Sequence, residues 1–271
     1  MRKEMEKEVN RLTARGLQKE IKGKTYNSIY NRDFQEAIDK ALAKEKKRVF
    51  SFLYKGQTYY VKRHLANSRK TFWRKQADLS YYREFVHLYA VSQQLNLAPP
   101  LIRGTDAYFV MPAVGKNLQE CLKETLQPHS TIAQATLRKG FYLAGQGLST
   151  LHEYGFYHGR PALRDIVFDR EEGQVAFVDW ETAPYTSRIK PYILDLLIFV
   201  HSYFREEMNL DWLMDEARKG YCQVPGGTTR WKAMTDFMKR HKVLLYMLHP
   251  LEGLGGIDLR AVRYMEGFLE S

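Results

Sequence analysis

Several features that would assign the chain to a protein class are scarce or missing. The 271 residues include only two cysteines, Cys121 and Cys222, and neither lies at metal-ligand spacing from a histidine or another cysteine. This pattern predicts free thiols in a reducing compartment and argues against a structural zinc site. There is no run of about 18 apolar residues, so a membrane-spanning helix is not expected. Residues 1–12 are charged throughout, which is not the pattern of a secretory signal.

Positive charge is abundant but unevenly distributed. The formal net charge is +11, and residues 1–75 carry 21 Lys/Arg against 8 Asp/Glu, whereas the remainder carries 21 against 23. A basic segment of this kind is typical of solvated helical faces that keep a protein soluble. It is equally typical of a surface that attracts phosphorylated lipid, an anionic membrane or nucleic acid. Charge alone leaves these interpretations open.

The order of predicted elements divides the chain into three parts. A β-rich region with one helix is followed by a helical region that a small hairpin interrupts, which is the layout of two lobes with a cleft between them. The predicted class is therefore α+β, in a two-lobed chain with an N-terminal extension. The predicted parts are a basic helical extension at 1–47, a β-rich lobe with its hinge at 48–113, and a helical lobe at 114–271.

Two of the predicted β-hairpins consist of short runs of β-branched and aromatic residues beside turn residues. The first pairs Val49–Tyr54 with Thr58–Val61 around a Lys-Gly-Gln turn. The second, in the helical region, has its strands at Phe156–Tyr157 and Val175–Val178.

Helical periodicity predicts polar, basic helices over residues 1–22 and 32–47. Asp33 is the candidate N-cap of the second helix, because its carboxylate can accept a hydrogen bond from the first turn. Near the C-terminus, the glycines within Gly253–Gly256 predict a turn between helices.

The stretch at residues 157–181, YHGRPALRDIVFDREEGQVAFVDWE, is the most informative part of the sequence. It resembles the catalytic segment of the kinase-like superfamily, and in particular that of the bacterial lipopolysaccharide-core kinases that phosphorylate Kdo or heptose. His158 matches the first position of the family's His-x-Asp motif. Asp165 lies where the family has an Asn, and Asp179 begins a match to the metal-binding triplet.

The resemblance extends upstream and runs in the same order over roughly residues 48–205. Lys62 matches the strand lysine that contacts phosphates, and Glu84 matches its helix partner. Met111 and Ala113 lie where the hinge strand presents backbone groups to adenine. The resemblance thus implies a kinase-like fold that uses ATP and Mg²⁺.

These residue types suit phosphoryl transfer, which depends on positioning and on neutralising phosphate charge. Lys62, held by Glu84, would contact the nucleotide phosphates, and Asp165 and Asp179 would bind Mg²⁺ through carboxylate oxygens. His158 would orient the catalytic loop. Asp195 lies in the apolar run YILDLLIF, where an ionised carboxylate needs hydrogen bonds, so we expect it to brace that loop.

The sequence departs from the family pattern at two places. Arg160 stands where the family has its catalytic Asp, and an arginine cannot accept the proton of a substrate hydroxyl. It could instead contact the transferring phosphoryl group or an anionic acceptor. The second departure is that no glycine-rich loop precedes Val49.

The function that the resemblance implies is an ATP-dependent phosphotransferase acting on a sugar or lipopolysaccharide-core hydroxyl. It would be cytoplasmic, with an anionic sugar or lipid-linked substrate and a peripheral contact between its basic segment and the anionic inner membrane. The alternative is a catalytically inactive pseudokinase that binds nucleotide or a partner protein. A nucleic-acid-binding protein is the least favoured interpretation, because no recognised motif accompanies the basic residues.

Overall fold

The computed structural model describes residues 26–27, 31–64, 71–125, 134–180, 189–208, 210–241 and 252–270; the helix predicted over 1–22 lies outside them. The chain divides into two compact units. The first comprises Met1–Val114 with Val178–Thr182, and the second comprises Gly115–Phe177 with Ala183–Ser271. No helix among the described residues has the length and apolar character needed to cross a membrane.

The first unit is built on an antiparallel sheet of five strands in the order β1-β4-β5-β3-β2. Strands β2 and β3 form the predicted first hairpin, which is confirmed. Its two-residue turn, Lys55-Gly56, has φ of 48° and 81°, as a type I′ hairpin turn requires. The elements are β1 Tyr26–Asn27, α1 Arg32–Lys44, β2 Val49–Tyr54, β3 Gln57–Arg63, α2 Thr71–Leu95, β4 Arg103–Gly104 and β5 Tyr108–Pro112.

Helix α1 begins at Arg32, as the sequence pattern predicts, but its N-cap is not the predicted residue. Its N-cap is Asn31, whose side-chain oxygen accepts a hydrogen bond from the Asp33 N–H at 2.9 Å, so the prediction of Asp33 as the cap is wrong. Asp33 lies already inside the first turn, where its own N–H is one of those that need a cap. The apolar face of α1 packs on one face of the sheet, in a core formed by Phe34, Ile38, Phe50, Val61 and Val110.

The second unit is mainly helical, with a small antiparallel sheet in the order β6-β7-β8. Two glycines allow the backbones of helices α4 and α6 to approach closely. A Cβ on Gly145 would lie 1.9 Å from the Ala217 carbonyl oxygen, and one on Gly220 would lie 2.0 Å from that of Tyr142. The elements are β6 Lys116–Asn117, α3 Leu118–Thr125, α4 Gln134–Glu153, a 3₁₀ turn Leu163–Asp165, β7 Ile166–Asp169, β8 Gln174–Phe177, α5 Pro191–Phe204, α6 Trp212–Gln223, α7 Gly227–Arg240 and α8 Glu252–Glu270.

The second predicted hairpin is wrong in its first strand. Strand β8 nearly matches the predicted Val175–Val178, but its partner is β7, and Phe156–Tyr157 is not a strand. The N–H of Phe156 donates to the Leu151 carbonyl at 2.8 Å, and that of Gly155 donates to His152. This is a Schellman cap on helix α4, with Gly155 at φ 79°. The backbone of Phe156 therefore ends a helix.

The turn predicted at Gly253–Gly256 is also wrong, because these residues lie within α8. Glycine weakens a helix by about 1 kcal/mol relative to alanine, and tertiary packing routinely overrides that preference. Further along the same helix, Ala261, Met265 and Phe268 are buried, and the Phe268 ring lies 5.6 Å from that of Phe204 on α5.

The predicted α+β class is confirmed. A β-rich unit with a long helix precedes a helical unit with a small hairpin, which is the order of elements that the sequence predicts.

Candidate active site

A buried ion pair lies at the centre of the first unit. The Lys62 ammonium on β3 contacts the Glu84 carboxylate on α2, and the two residues are only 6% and 1% exposed. The predicted Lys62–Glu84 pair is confirmed. A buried charge is costly unless it is paired, so each of these side chains depends on the other for its place in the core.

A second carboxylate contacts the same lysine. Oδ1 of Asp179 lies 3.2 Å from Lys62 Nζ. The backbone of Asp179 has φ of 66°, in the left-handed region that non-glycine residues seldom adopt. A strained residue of this kind persists only where its surroundings hold it, and such residues cluster at functional sites.

Helix α2 accounts for the position of this strained residue. The next residue, Trp180, is fully buried, and its indole stacks on the His87 ring with centroids 5.9 Å apart and an interplanar angle of 8°. His87 follows Glu84 by three positions, so both side chains lie on one face of α2. One helical turn thus holds Lys62 through Glu84 and Trp180 through His87.

An open apolar surface continues from Lys62 across the same face of the sheet. Val49 lies directly opposite Lys62 in the β2–β3 register, and alternation places Leu53 and Tyr60 on that face too. All three apolar side chains are exposed, Leu53 by 69%. Helix α1 covers the opposite face, so this surface is available to a flat apolar group such as a nucleotide base.

The predicted hinge residues lie at the end of β5. Met111 is opposite Tyr60 and half-buried. The N–H of Ala113 donates to the Thr58 carbonyl at 2.9 Å and so takes part in the sheet. The adenine contacts assigned to Met111 and Ala113 remain predictions, and a contact at Ala113 would have to use its carbonyl.

In the second unit, Asp195 holds the loop that carries the predicted catalytic residues. Its side chain on α5 is fully buried. Oδ2 accepts the His158 N–H at 2.8 Å and Oδ1 accepts the Gly159 N–H at 2.7 Å. The predicted bracing of the loop by Asp195 is confirmed.

Two further residues that the sequence pattern did not identify complete this network. His152 on α4 contacts Asp195 Oδ2 through Nε2 at 3.1 Å, and its Nδ1 lies 2.7 Å from the Tyr221 hydroxyl. Burial lowers the pKa of His152, outweighing the opposing effect of Asp195, and burial raises the pKa of Tyr221. The imidazole is therefore neutral. Its Nε2–H donates a hydrogen bond to Asp195, and its Nδ1 accepts one from the Tyr221 hydroxyl. The sequence feature that could have identified His152 is a histidine among the apolar residues on the buried face of α4.

The predicted catalytic residues of this unit lie together in the loop. His158 is fully buried, and its Nδ1 accepts the Arg160 N–H at 3.3 Å. The Nε atoms of Arg160 and Arg164 lie 3.6 Å and 3.7 Å from the two carboxylate oxygens of Asp165. Arg164 was not predicted as a site residue. It lies beside Asp165 because both residues belong to the 3₁₀ turn Leu163–Asp165.

Metal binding at the predicted ligands is compatible with their chemistry. Asp165 and Asp179 supply carboxylate oxygens, which are hard donors, and Mg²⁺ is commonly bound by one or two carboxylates together with substrate phosphates. Within the described ranges, no group of three or more His, Cys, Asp or Glu side chains could hold a metal. Asp165 and Asp179 belong to different units, and their sharing of an ion remains a prediction.

Comparisons with known proteins identify similar chains but no family. No family model matches. An uncharacterized protein of Haemophilus influenzae is 28% identical over 250 residues, which cover 89% of this chain and 98% of that protein. A probable bifunctional tRNA threonylcarbamoyladenosine biosynthesis protein of Haloquadratum walsbyi is 24% identical over 159 residues, 58% of this chain but only 27% of that protein. The solved structure of WaaP in complex with acyl carrier protein has a TM-score of 0.48 and 12% identity, covering 90% of this chain and 92% of that one.

Proposed function

We propose that the protein is an ATP-dependent phosphotransferase of the kinase-like type. The observation that carries this proposal is the buried Lys62, which contacts both Glu84 and Asp179. A purely structural ion pair needs one carboxylate, whereas this lysine meets two, and Asp179 holds its place with a strained backbone. A fixed cation beside a carboxylate is the arrangement that binding nucleotide phosphates with a metal requires.

In the proposed reaction, the acceptor hydroxyl oxygen forms a bond to the γ-phosphorus of ATP. The bond between that phosphorus and the β–γ bridging oxygen breaks, ADP leaves, and the hydroxyl proton passes to solvent. Lys62 would bind phosphate oxygens, and the exposed face with Val49 and Leu53 would receive the base. Mg²⁺, held by Asp179 and Asp165, would neutralise phosphate charge. An arginine side chain has no acceptor, so Arg160 does not take the proton.

We infer that the acceptor is a sugar or lipopolysaccharide-core hydroxyl, presented at the cytoplasmic face of the inner membrane. The resemblance of residues 157–181 supports the acceptor class. The excess of Lys and Arg in residues 1–75 supports a location beside an anionic surface.

A nucleotide-binding pseudokinase is the second candidate, and a specific observation favours it. Two guanidinium groups, those of Arg160 and Arg164, lie against Asp165. Positive charge beside a metal ligand opposes the binding of a cation. Under this alternative, ATP binds in the first unit without being turned over.

Replacing Asp179 by Asn tests the proposal. The change removes a carboxylate but leaves the Lys62–Glu84 pair, and the side chain is about a third exposed, so the fold should be retained. We expect Mg·ATP affinity, measured by calorimetry on the full chain, to fall at least tenfold. Asp106→Asn is the matched control, because Asp106 is an exposed aspartate of the same unit. Equal Mg·ATP affinity in Asp179→Asn and Asp106→Asn would refute the site assignment.

Turnover separates the two candidates. We expect the wild type to release ADP when lipopolysaccharide core is supplied as acceptor. Binding of Mg·ATP without ADP release, over a panel that includes core sugars, would establish the pseudokinase instead.

A further inference from the structure

A cavity of about 130 Å³ lies wholly within the second unit, beside the loop that Asp195 braces. Arg160 and Arg164 line it from the loop, and Arg205 lines it from the end of α5. One water needs only about 10–15 Å³ of such space. The cavity can therefore hold a phosphate or carboxylate group together with several waters.

The two sides of the cavity are joined by a hydrogen bond. The Leu163 N–H in the 3₁₀ turn donates to the Ser202 hydroxyl on α5 at 3.1 Å. Ser202 in turn donates to the Phe199 carbonyl within the helix. The loop arginines and Arg205 therefore face the same space from two elements that are fixed to one another.

The positive charge of the cavity is not cancelled by its own carboxylate. Glu206 lines the wall, but its Oε2 lies 3.0 Å from Lys123 Nζ, and its Oε1 accepts from the Gln119 side chain. Nε of Arg205 lies 2.7 Å from Asp258 Oδ1, and the two side chains form an ion pair. A guanidinium has five N–H donors in a planar fork, so a carboxylate at Nε still allows a second oxyanion to bind at the terminal nitrogens.

The 3.6 Å and 3.7 Å contacts of Arg160 and Arg164 with Asp165 point to the same chemistry. The separation of Arg164 from Asp165 exceeds hydrogen-bond length, so a ligand oxyanion that hydrogen-bonds the Arg164 guanidinium would make a shorter and stronger contact. Arginine is the residue that best matches the geometry of phosphate and carboxylate.

We propose that this cavity is the subsite for an oxyanion, a phosphate or carboxylate, carried by the sugar acceptor, with Arg160, Arg164 and Arg205 as its ligands. Gln119 and Glu206 on the same wall can hydrogen-bond sugar hydroxyls. The assignment to the acceptor rests on the proposed phosphotransferase function, whereas the binding of an oxyanion here does not. On this proposal, Arg160 stands at the position of the family's catalytic Asp because it recognises an anionic substrate.

The test is a titration of the full chain with inorganic phosphate, followed through the Nε–H signals of its arginines by NMR at low ionic strength. Sodium chloride of matched ionic strength is the blank, and acetate is the carboxylate arm. We expect saturable shifts for the three arginines. Arg205→Met should weaken phosphate binding at least tenfold, and Arg164→Met is the second variant. The matched control Arg218→Met alters an exposed arginine of α6 that lies outside the cavity, and it should bind as wild type does.

Equal phosphate affinity in Arg205→Met and Arg218→Met would overturn the proposal, as would shifts that the chloride blank reproduces. Stronger binding of phosphate than of acetate would identify a phosphate-bearing acceptor, and the reverse a carboxylate-bearing one. Displacement of phosphate by a non-hydrolysable Mg·ATP analogue would show that nucleotide occupies the cavity, which also overturns the proposal.

The same titration in Asp179→Asn separates this inference from the proposed function. That variant should lose nucleotide binding in the first unit and keep phosphate binding in the second. If the wild type does not bind nucleotide, the phosphotransferase proposal is refuted, but the phosphate titration still tests the oxyanion site.

Discussion

Replacing Asp195 by Asn leaves its buried site with one hydrogen-bond acceptor too few. The carboxylate accepts from the backbone of His158 and Gly159 and from the His152 ring. An amide whose oxygen takes the Oδ2 position keeps two of these bonds and turns its NH₂ group toward the Gly159 N–H. A buried donor without an acceptor costs about 1–3 kcal/mol, and two opposed donors lie at the upper end of that range. We therefore expect a loss of about 2–3 kcal/mol of stability.

Urea unfolding measures this loss as a lower midpoint at an unchanged slope. Amide hydrogen exchange reads the local effect, because a 2 kcal/mol loss corresponds to about 30-fold faster exchange at Gly159. Asp236→Asn is the control, since that aspartate is a surface residue paired with Lys232 across one helical turn. If Asp195→Asn unfolds at the same urea concentration as Asp236→Asn, the reasoning about the loop is wrong.

Two further predictions concern the second unit. Burial lowers the pKa of His152, so below the unfolded-state value of about 6.5 the unfolded chain binds a proton that the folded protein does not. The free energy of unfolding should be highest above that pH and should fall by up to about 1.4 kcal/mol per pH unit below it. In thermal melts from pH 8 to 5, His152→Gln should reduce this pH dependence, whereas the control His241→Gln should leave it unchanged. An unchanged pH dependence in both variants would contradict the assignment. Gly145→Ala should cost about 1–3 kcal/mol or more, because its methyl would meet the Ala217 carbonyl. Gly267→Ala, in open space on α8, should be neutral or stabilising in the same thermal melts, and equal melting temperatures would refute the packing argument.

The parts of the site that the sequence predicted are those where chemistry imposes a partner. An Asp within the apolar run of α5 requires hydrogen bonds, and the loop that carries His158 supplies them from 37 positions earlier in the chain. Lys62 and Glu84 were predicted together because the resemblance assigns both positions. For Asp195, a charge in an apolar context left few ways to satisfy it.

The parts that were not predicted depend on hydrogen bonds that the local residue pattern does not specify. His152 and Tyr221 are 69 positions apart, and their hydrogen bond exists because glycines bring α4 and α6 together. Phe156 is of a residue type that is common in strands, yet its N–H caps α4. A local pattern cannot reveal which carbonyl will accept a given N–H, so both features became visible only in three dimensions.

The loop from His158 to Asp165 takes its shape from groups that belong to the protein itself. The Asp195 carboxylate and the Ser202 hydroxyl hold it through hydrogen bonds, and the His152 imidazole holds Asp195. A ligand that binds to the loop therefore meets a surface that has already lost its conformational freedom during folding, so little entropy remains to be lost on association. The loop should accordingly contribute to the rate and affinity of recognition as a rigid template, and differences between ligands should arise from their fit to it.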